Sequence, residues 1–537
     1  MVATAARMIL PAALVVIAVA TAAADSVDVT VDPTRILART TAALTSVTID
    51  TCALKQQLDF GDPLLRALTA HLAPAVLRIG GTDQNSFSYD VSDTGMGQPC
   101  ACHVRHHRDH TCTMTGGYWE TVIDFANATG LPLIFGLNRA NVSNANSLVF
   151  HTAHQNYTPG VFAYSLGNEQ TGDHAFAVQY KGDLASVRAA LRQAYDVERP
   201  RLVRPLLVAP DVGVGPRHPP TTPATIANDT GINEALAWVK DFAATCGGEV
   251  DRLTWHTYDY RSTELGSEDY EPMPWPLPAN FSKFFDPSYH DVAKRLWGNV
   301  TTLAAGAAPA LKGRVWLTET DSINHQGQWN ATNAYANSLW LVDRFGMMAA
   351  QGVPLMGRQT LIGFNYSLLG NFPADPITPY PDYFTTVLFA RLFGDAVLPA
   401  TADAAHPRLR AYAHCARTQP AGGGSVALAL VNLDETSAAT VPVPAALPGS
   451  RDEYALAPAW PPAGEEEDDA ASPRDRTTSH GVTLNGAVSP LAVGKDGSLP
   501  PFEPKTVAGG GVMMVPPLTL LFAVFPEAGA AACVPGG

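Results

Sequence analysis

Cationic residues are in short supply: 35 Lys and Arg stand against 50 Asp and Glu, a formal net charge of −15. A chain of that sign repels polyphosphates and anionic headgroups at long range. Nucleic acid and a charged membrane surface are therefore not expected partners, although a local basic groove remains compatible with the balance. Beyond the N-terminal segment no apolar run is long enough to cross a bilayer, so stable membrane insertion is not expected. No glycine-rich phosphate turn follows a β-rich run, which sets aside a dinucleotide-binding, doubly wound sheet. No segment recurs at the spacing of solenoids or propellers. Cysteine is sparse too: there are seven, which suits an oxidising compartment and leaves one unpaired.

What is present begins with a processing signal. Arg7 precedes an apolar run over 8–20, and the small residues of 21–24 (TAAA) offer a cleavage site before Asp25. Residues 1–24 are read as a signal peptide, which places the mature chain outside the cell or in a lysosome- or vacuole-type compartment. Sequons at Asn127, Asn141, Asn156, Asn228, Asn280, Asn299, Asn330 and Asn365 fit that route. Cys100, Cys102 and Cys112 crowd one stretch, with His103, His106, His107 and His110 between them. Their spacing matches no zinc pattern, so a disulfide-closed surface loop is expected and a metal site is not. Spacing alone does not pair Cys52, Cys100, Cys102, Cys112 and Cys246.

A chain of 537 residues exceeds one small core, and its texture divides it in two. After β-rich runs at 27–31 and 44–50, short apolar runs at 75–79, 131–137, 161–166, 201–209, 253–256 and 314–318 read as buried parallel strands. Helical stretches at 118–128, 184–194, 234–244 and 331–349 lie between them. That alternation predicts an α/β fold, a (β/α)8 barrel over 44–397. From 398 to 537, runs at 409–414, 426–431, 440–443 and 518–524 are separated by Pro, Gly and Asp, the pattern of a β-sandwich. Within it, 461–479 carries the acidic run 465–469 and reads as a mobile loop.

Side chains at the C-terminal ends of barrel strands converge on one mouth. Two carboxylates occupy such positions: Glu169 after YSLGN (164–168), and Glu319 after VWLT (315–318), 150 residues later. A facing pair of this kind is what glycosidic bond cleavage with retention requires, one as proton donor and one as nucleophile. Either glutamate alone is more often a solvated surface residue.

The segments SVTID (46–50), LRIGGT (77–82), GLPLIFGLN (130–138), SLGNE (165–169), APDVG (209–213), GGEVDRLTWHTY (247–258), VWLTE (315–319), GRQTLIGFNYSL (357–368) and PDYFTTVLFARLFGDAVL (381–398) occur in order. Together they resemble the heparanase-like enzymes of glycoside hydrolase family 79. The resemblance runs from about residue 26 to the end. It implies a barrel followed by a β-sandwich that also takes the N-terminal strand, within 25–43, and a cofactor-free β-glucuronidase. It makes Glu169 the acid/base and Glu319 the nucleophile, with Asn168 near the sugar 2-hydroxyl. Asp50, Thr82, His256, Tyr258, Gln359, Asn365 and Tyr366 fall where relatives line the glucuronate pocket, His256 orienting a catalytic glutamate and Tyr366 donating to the substrate carboxylate. It also implies a disulfide between Cys415 and Cys533.

The chain departs from the family pattern at four places. Tyr164 and Ser165 replace a tryptophan and an acidic residue, Gln170 replaces a proline, and His325-Gln326 fall near a glycine pair that meets the sugar carboxylate. The basic strips that grip sulfated chains are missing: 212–225 holds only Arg217 and His218, and the histidines of 105–110 are largely neutral at pH 7. The expected substrate is therefore a less sulfated glucuronic-acid-containing glycan or a small glucuronide. The rival reading is a catalytically silent glycan-binding protein on the same scaffold. Nothing in the sequence fixes an oligomeric state.

Overall fold

Eight short runs of β-branched and aliphatic residues pair in parallel and close on themselves. The computed structural model describes residues 25–102, 111–215, 224–260, 281–420, 422–461 and 471–534. The signal segment 1–24, the basic stretch 105–110, Arg217, His218, the Asn280 sequon and the acidic run 465–469 lie outside the described residues. The barrel strands are β1 Ser46–Asp50, β2 Leu77–Gly80, β3 Leu133–Leu137, β4 Val161–Leu166, β5 Leu206–Gly213, β6 Arg252–Tyr260, β7 Val315–Ile323 and β8 Met356–Arg358. Each is hydrogen-bonded to its sequence neighbours, and β8 returns to β1. Helices outside and packed side chains inside bury both faces, which is why these strands read as apolar runs.

Strand edges differ from the sequence reading where charge intervenes. The run expected at 201–209 becomes a strand over Leu206–Gly213. Arg201 and Arg204 stay outside it, because a strand buried on both faces cannot hold an unpaired cation. The helix expected at 331–349 begins at Tyr335. The residues before it form a loop off the barrel mouth.

A second domain packs against the barrel. Its larger sheet runs Val482–Leu484, Arg451–Pro458, Thr519–Phe525, Val426–Asn432, Leu409–Ala416, Phe393–Leu398 and Ala38–Arg39, with Lys505–Val507 also on Arg451–Pro458. A three-stranded sheet faces it: Asp25–Ser26, Ala439–Pro442 and Val512–Val515. The N-terminal segment thus enters this domain as several short strands, Val29–Val31 pairing with Ala400–Ala402. Phe393–Leu398 already belongs to the large sheet, so that sheet starts before residue 398. The sandwich core is mainly aliphatic, including Val27, Leu428, Leu430 and Val441, with Phe525 packed among them.

The two domains are stitched by polar as well as apolar contacts. Arg410 of the sheet reaches Asp343 of helix Tyr335–Ala350 at 2.9 Å and Asp291 at 2.7 Å. The start of that helix has no side-chain cap. The carbonyls of Ser479 and Thr477 instead accept from the N–H groups of Tyr335 and Ala336, both at 2.9 Å. The stretch 471–479, expected as the rest of a mobile loop, is therefore ordered by the helix it caps: it contains helix Pro473–Arg476, and Thr477 and Ser479 are buried.

Three disulfides join Cys415 to Cys533, Cys52 to Cys102 and Cys100 to Cys112, and Cys246 is a buried free thiol. Cys100 and Cys112 close the loop, while Cys102 ties it to the short helix Thr51–Lys55. Among the described residues no helix is long and apolar enough to cross a membrane. The Cys415–Cys533 link spans 118 residues. Constraining a loop of that length in the unfolded chain stabilises by about 5 kcal/mol on the chain-entropy argument. The double substitution Cys415→Ser/Cys533→Ser is expected to lower the denaturant midpoint by a corresponding amount, and an unchanged midpoint would contradict this role.

Candidate active site

The mouth is organised by one buried cation. Arg78 rises from β2, a charged residue inside a fully buried strand. Its Nη1 lies 2.8 Å from Glu319 Oε2, while Nη2 lies 2.8 Å from Asn168 Oδ1 and 2.9 Å from Asp211 Oδ2. Burial disfavours its charge, but Asp211 and Glu319 more than offset that and hold the guanidinium's pKa above its ordinary value. Asp211 is driven well below the usual carboxylate range: burial opposes this, and Arg78 overrides it. Its remaining lone pairs are also answered, by Ser165 Oγ at 2.6 Å and Thr318 Oγ1 at 2.8 Å. Ser165 stands where the resembled family carries an acidic residue. A second carboxylate there would face Asp211, whereas a hydroxyl donates to it.

Asp211 sits at an irregularity in β5, where the register with β6 shifts between Ala209 and Val212, and its φ is +51°. Such a bulge re-aims a side chain that regular alternation would send elsewhere. Beyond β4 the chain turns through Gly167, φ +73°, where a Cβ would come within 2.7 Å of the Tyr180 hydroxyl. That turn brings Asn168 under Arg78 and sets Glu169, itself at φ +50°, with its N–H on the Asp211 carbonyl at 2.9 Å.

Glu169, His256 and Glu319 then meet. His256 Nδ1 lies 3.1 Å from Glu169 Oε1 and 3.8 Å from Glu319 Oε2, and its Nε2 faces Asp211 Oδ1 at 3.6 Å. One carboxylate oxygen of each glutamate and the imidazole nitrogen fall within 4.8 Å of one another. The Glu169 side chain is 40% exposed and that of Glu319 only 8%. Tyr258, two residues along β6 from His256, donates to Glu319 Oε1 at 2.5 Å. Burial and then Glu319 raise the Tyr258 pKa well above normal, so the phenol remains a donor. Burial works against a charged His256, yet Glu319, Asp211 and Glu169 raise its pKa to about 9.

This triangle is a poor cation site, because Arg78 already occupies the space beside Glu319. Among the described residues the other cluster with metal-ligand chemistry, Cys52, Asp83 and Cys102, is consumed by the Cys52–Cys102 disulfide.

The remaining candidates divide. Gln359 is clamped by Thr48 Oγ1, which donates to its Oε1. Its Nε2 then donates to Asp50 Oδ2 and Tyr366 Oη, both at 3.2 Å. The Tyr366 hydroxyl, accepting from Gln359, keeps its own proton to donate. Burial, with Glu319 and Asp83 adding to it against the Cys52 N–H, pushes Asp50 up to about 7. Asn365 contributes through its backbone: its N–H donates to Gln326 O at 2.9 Å, and its carbonyl accepts from Thr332 Oγ1 at 2.8 Å. Thr82 stands exposed on the rim after Gly81. His325 and Gln326 adopt φ of +51° and +73°, the left-handed backbone that glycine takes freely. Sequence reasoning did not single out Arg78 or Asp211, and it marked Ser165 only as a departure from the family pattern. The available signal was an Arg and an Asp of opposite charge inside two strands otherwise too apolar to tolerate either.

The sequence model described as "Glycosyl hydrolase family 79, N-terminal domain" matches residues 48–214. Heparanase-like protein 1 of Arabidopsis thaliana is 26% identical over 522 residues, covering 89% of this chain and 86% of that protein. The baicalin-beta-D-glucuronidase of Scutellaria baicalensis is 23% identical, covering 87% and 84%. Inactive heparanase-2 of Homo sapiens is 25% identical, covering 78% and 66%. Among solved structures, a 4-O-alpha-L-rhamnosyl-beta-D-glucuronidase from Fusarium oxysporum superposes with a TM-score of 0.58 at 16% identity, over 92% of this chain and 99% of that one.

The imidazolium can be read out through stability. Folding raises the His256 pKa from 6.5 to about 9, so the stability it confers is full below about pH 6.5 and is lost as pH rises through 9. Replacing His256→Gln is expected to remove that decline, a difference on the order of 3 kcal/mol across the window. Parallel stability–pH curves for the two proteins would show that His256 is not held protonated.

Proposed function

We propose that this chain, which belongs to the heparanase-like glycoside hydrolases of family 79, cleaves β-linked glucuronic acid residues with retention, in a secreted setting. The observation that carries the proposal is the approach of Glu169 and Glu319 within 4.8 Å at one barrel mouth. Carboxyl groups this close leave no room for a water between nucleophile and sugar. A separation of about 5–5.5 Å goes with a covalent glycosyl-enzyme, and roughly 6.5–9.5 Å with inversion.

In this reading Glu319 attacks the anomeric carbon. Both of its oxygens are held, one by Arg78 and one by Tyr258, so the attacking atom is oriented before substrate arrives. Glu169 is the more exposed of the two and stands towards the leaving group, donating the proton that lets the glycosidic oxygen depart. It then takes a proton from the water that releases the sugar. His256 lies between the two carboxylates and holds them in register. Asn168, fixed by Arg78, meets the 2-hydroxyl. Tyr366 and the backbone at His325-Gln326 receive the sugar carboxylate, and Asp50 and Gln359 the remaining hydroxyls.

Support for glucuronate comes from the donor set around Tyr366 and from the glucuronidase among the relatives. The net charge of −15 and the absent basic strips favour unsulfated chains or small glucuronides. An aryl β-glucuronide is expected to release its chromophore far faster than the aryl β-glucoside, and the reverse order would reassign the sugar.

Azide separates the two glutamates. Glu319→Ala is expected to abolish hydrolysis whatever the leaving group. Glu169→Ala should spare glycosylation by an activated aryl substrate but stall deglycosylation, and azide should then restore turnover and yield the β-glucuronosyl azide. Rescue of Glu319→Ala that yields the β-azide would invert the roles, whereas an α-azide from that variant is what loss of the nucleophile predicts. Wild-type activity in both variants would end the proposal. A wild-type protein that binds glucuronides without cleaving them would make it a glycan-binding scaffold.

A further inference from the structure

Two described large aromatic side chains stand exposed. Phe162 lies near the start of β4, away from the mouth, stacked on Trp316 at 5.8 Å. Trp329, 41% exposed, lies in the loop between β7 and helix Tyr335–Ala350, on the mouth side. That loop is fastened down on both sides of the indole. Before it, Gln326 O accepts from Asn365 N, and Gly327 at φ +78° lies so close to Tyr366 that a Cβ would meet its Cβ and N at 2.8 Å. After it, Thr332 Oγ1 donates to the Asn365 carbonyl. Two residues span at most about 7 Å, so the Trp329 backbone is within that reach of the glycine seated on Tyr366.

The other domain braces the indole. The His480 ring meets Trp329 edge-on at 4.7 Å, its Nε2 lies 2.9 Å from Asn330 Oδ1, and its ring packs on Tyr380 at 5.6 Å. His480 directly follows the segment that caps helix Tyr335–Ala350. Two separate contacts therefore carry the β-domain to this rim. A tryptophan retained only for packing would be covered. This one is packed against a histidine while much of its surface remains open to solvent.

We propose that Trp329, backed by His480, is the platform on which the group attached to the glucuronate stacks. This rests on the reading of the site as a glucuronidase. The ligand chemistry is a ring with a flat apolar face, either a neighbouring pyranose or an aromatic aglycone. With no basic strip to hold an anionic neighbour, an uncharged stacking contact suits the rest of the chain.

The test compares wild type, Trp329→Ala, Trp329→Phe and His480→Ala on three substrates: methyl β-glucuronide, 4-methylumbelliferyl β-glucuronide and an unsulfated glucuronyl disaccharide. Trp329→Ala is expected to raise KM about tenfold for ring-bearing substrates, the scale of a lost aromatic contact. Methyl β-glucuronide should be unaffected, Trp329→Phe should recover most of the loss, and His480→Ala should show a smaller loss of the same pattern. Loss on the aryl substrate alone identifies an aromatic aglycone, and loss on the disaccharide alone a sugar. Equal losses on all three substrates, or none on any, would overturn the platform. If wild type turns over no glucuronide, the glucuronidase reading itself has failed. Calorimetric binding of the same three compounds then decides the platform: selective weakening of the ring-bearing ligands by Trp329→Ala upholds it, and unchanged or uniformly weakened affinities refute it.

Discussion

A guanidinium buried at the centre of a barrel has no water to fall back on, so the groups around Arg78 are arranged to answer its charge. It takes a carboxylate from β5, a carboxylate from β7 and an amide oxygen from the turn after β4. Removing one partner of such a buried pair typically costs about 3–5 kcal/mol, because the other is left uncompensated. The same contacts set where Glu319 and Asn168 point. With His256 protonated, two cations face the carboxylates of Asp211 and Glu319, and Glu169 is the acidic group left closest to solvent. The asymmetry between the two glutamates that acid/nucleophile chemistry needs thus follows from how one arginine is neutralised.

The barrel accepts local strain to build this arrangement. Asp211, Glu169, His325 and Gln326 all hold left-handed backbone without being glycine, each at a cost of order 1–3 kcal/mol. All four lie at strand ends or in loops of the mouth, where the Glu169 N–H donates to the Asp211 carbonyl and the Asn365 N–H to the Gln326 carbonyl. The helices and strands below carry the stability, and the mouth spends part of it on direction.

The fold was legible because parallel strands buried on both faces write themselves as apolar runs, and β4 was read to its exact ends at 161–166. Strand β8 was not, since Met356–Arg358 is three residues long and ends in a charge that is answered by the distant, buried Asp321 and Asp382. The two glutamates were visible from strand-end position, whereas Tyr366 and Gln359 drew notice only through the family pattern. Arg78 and Asp211 were hidden by long-range pairing: 133 residues separate them, and nothing local to either shows the other. The capping role of 477–479 was equally invisible, because an uncapped helix start at Ala334 and a stretch beside an acidic run give no sign of each other in one dimension.

The account stands on the claim that Glu169 and Glu319 are close enough to act by double displacement. Proton NMR of the first glucuronic acid released from an aryl β-glucuronide tests that most directly, read before the anomers equilibrate. The account predicts that the β-anomer appears first, with the α-anomer growing in only as mutarotation proceeds. Release of the α-anomer first would mean that water attacks in a single displacement, and would contradict it.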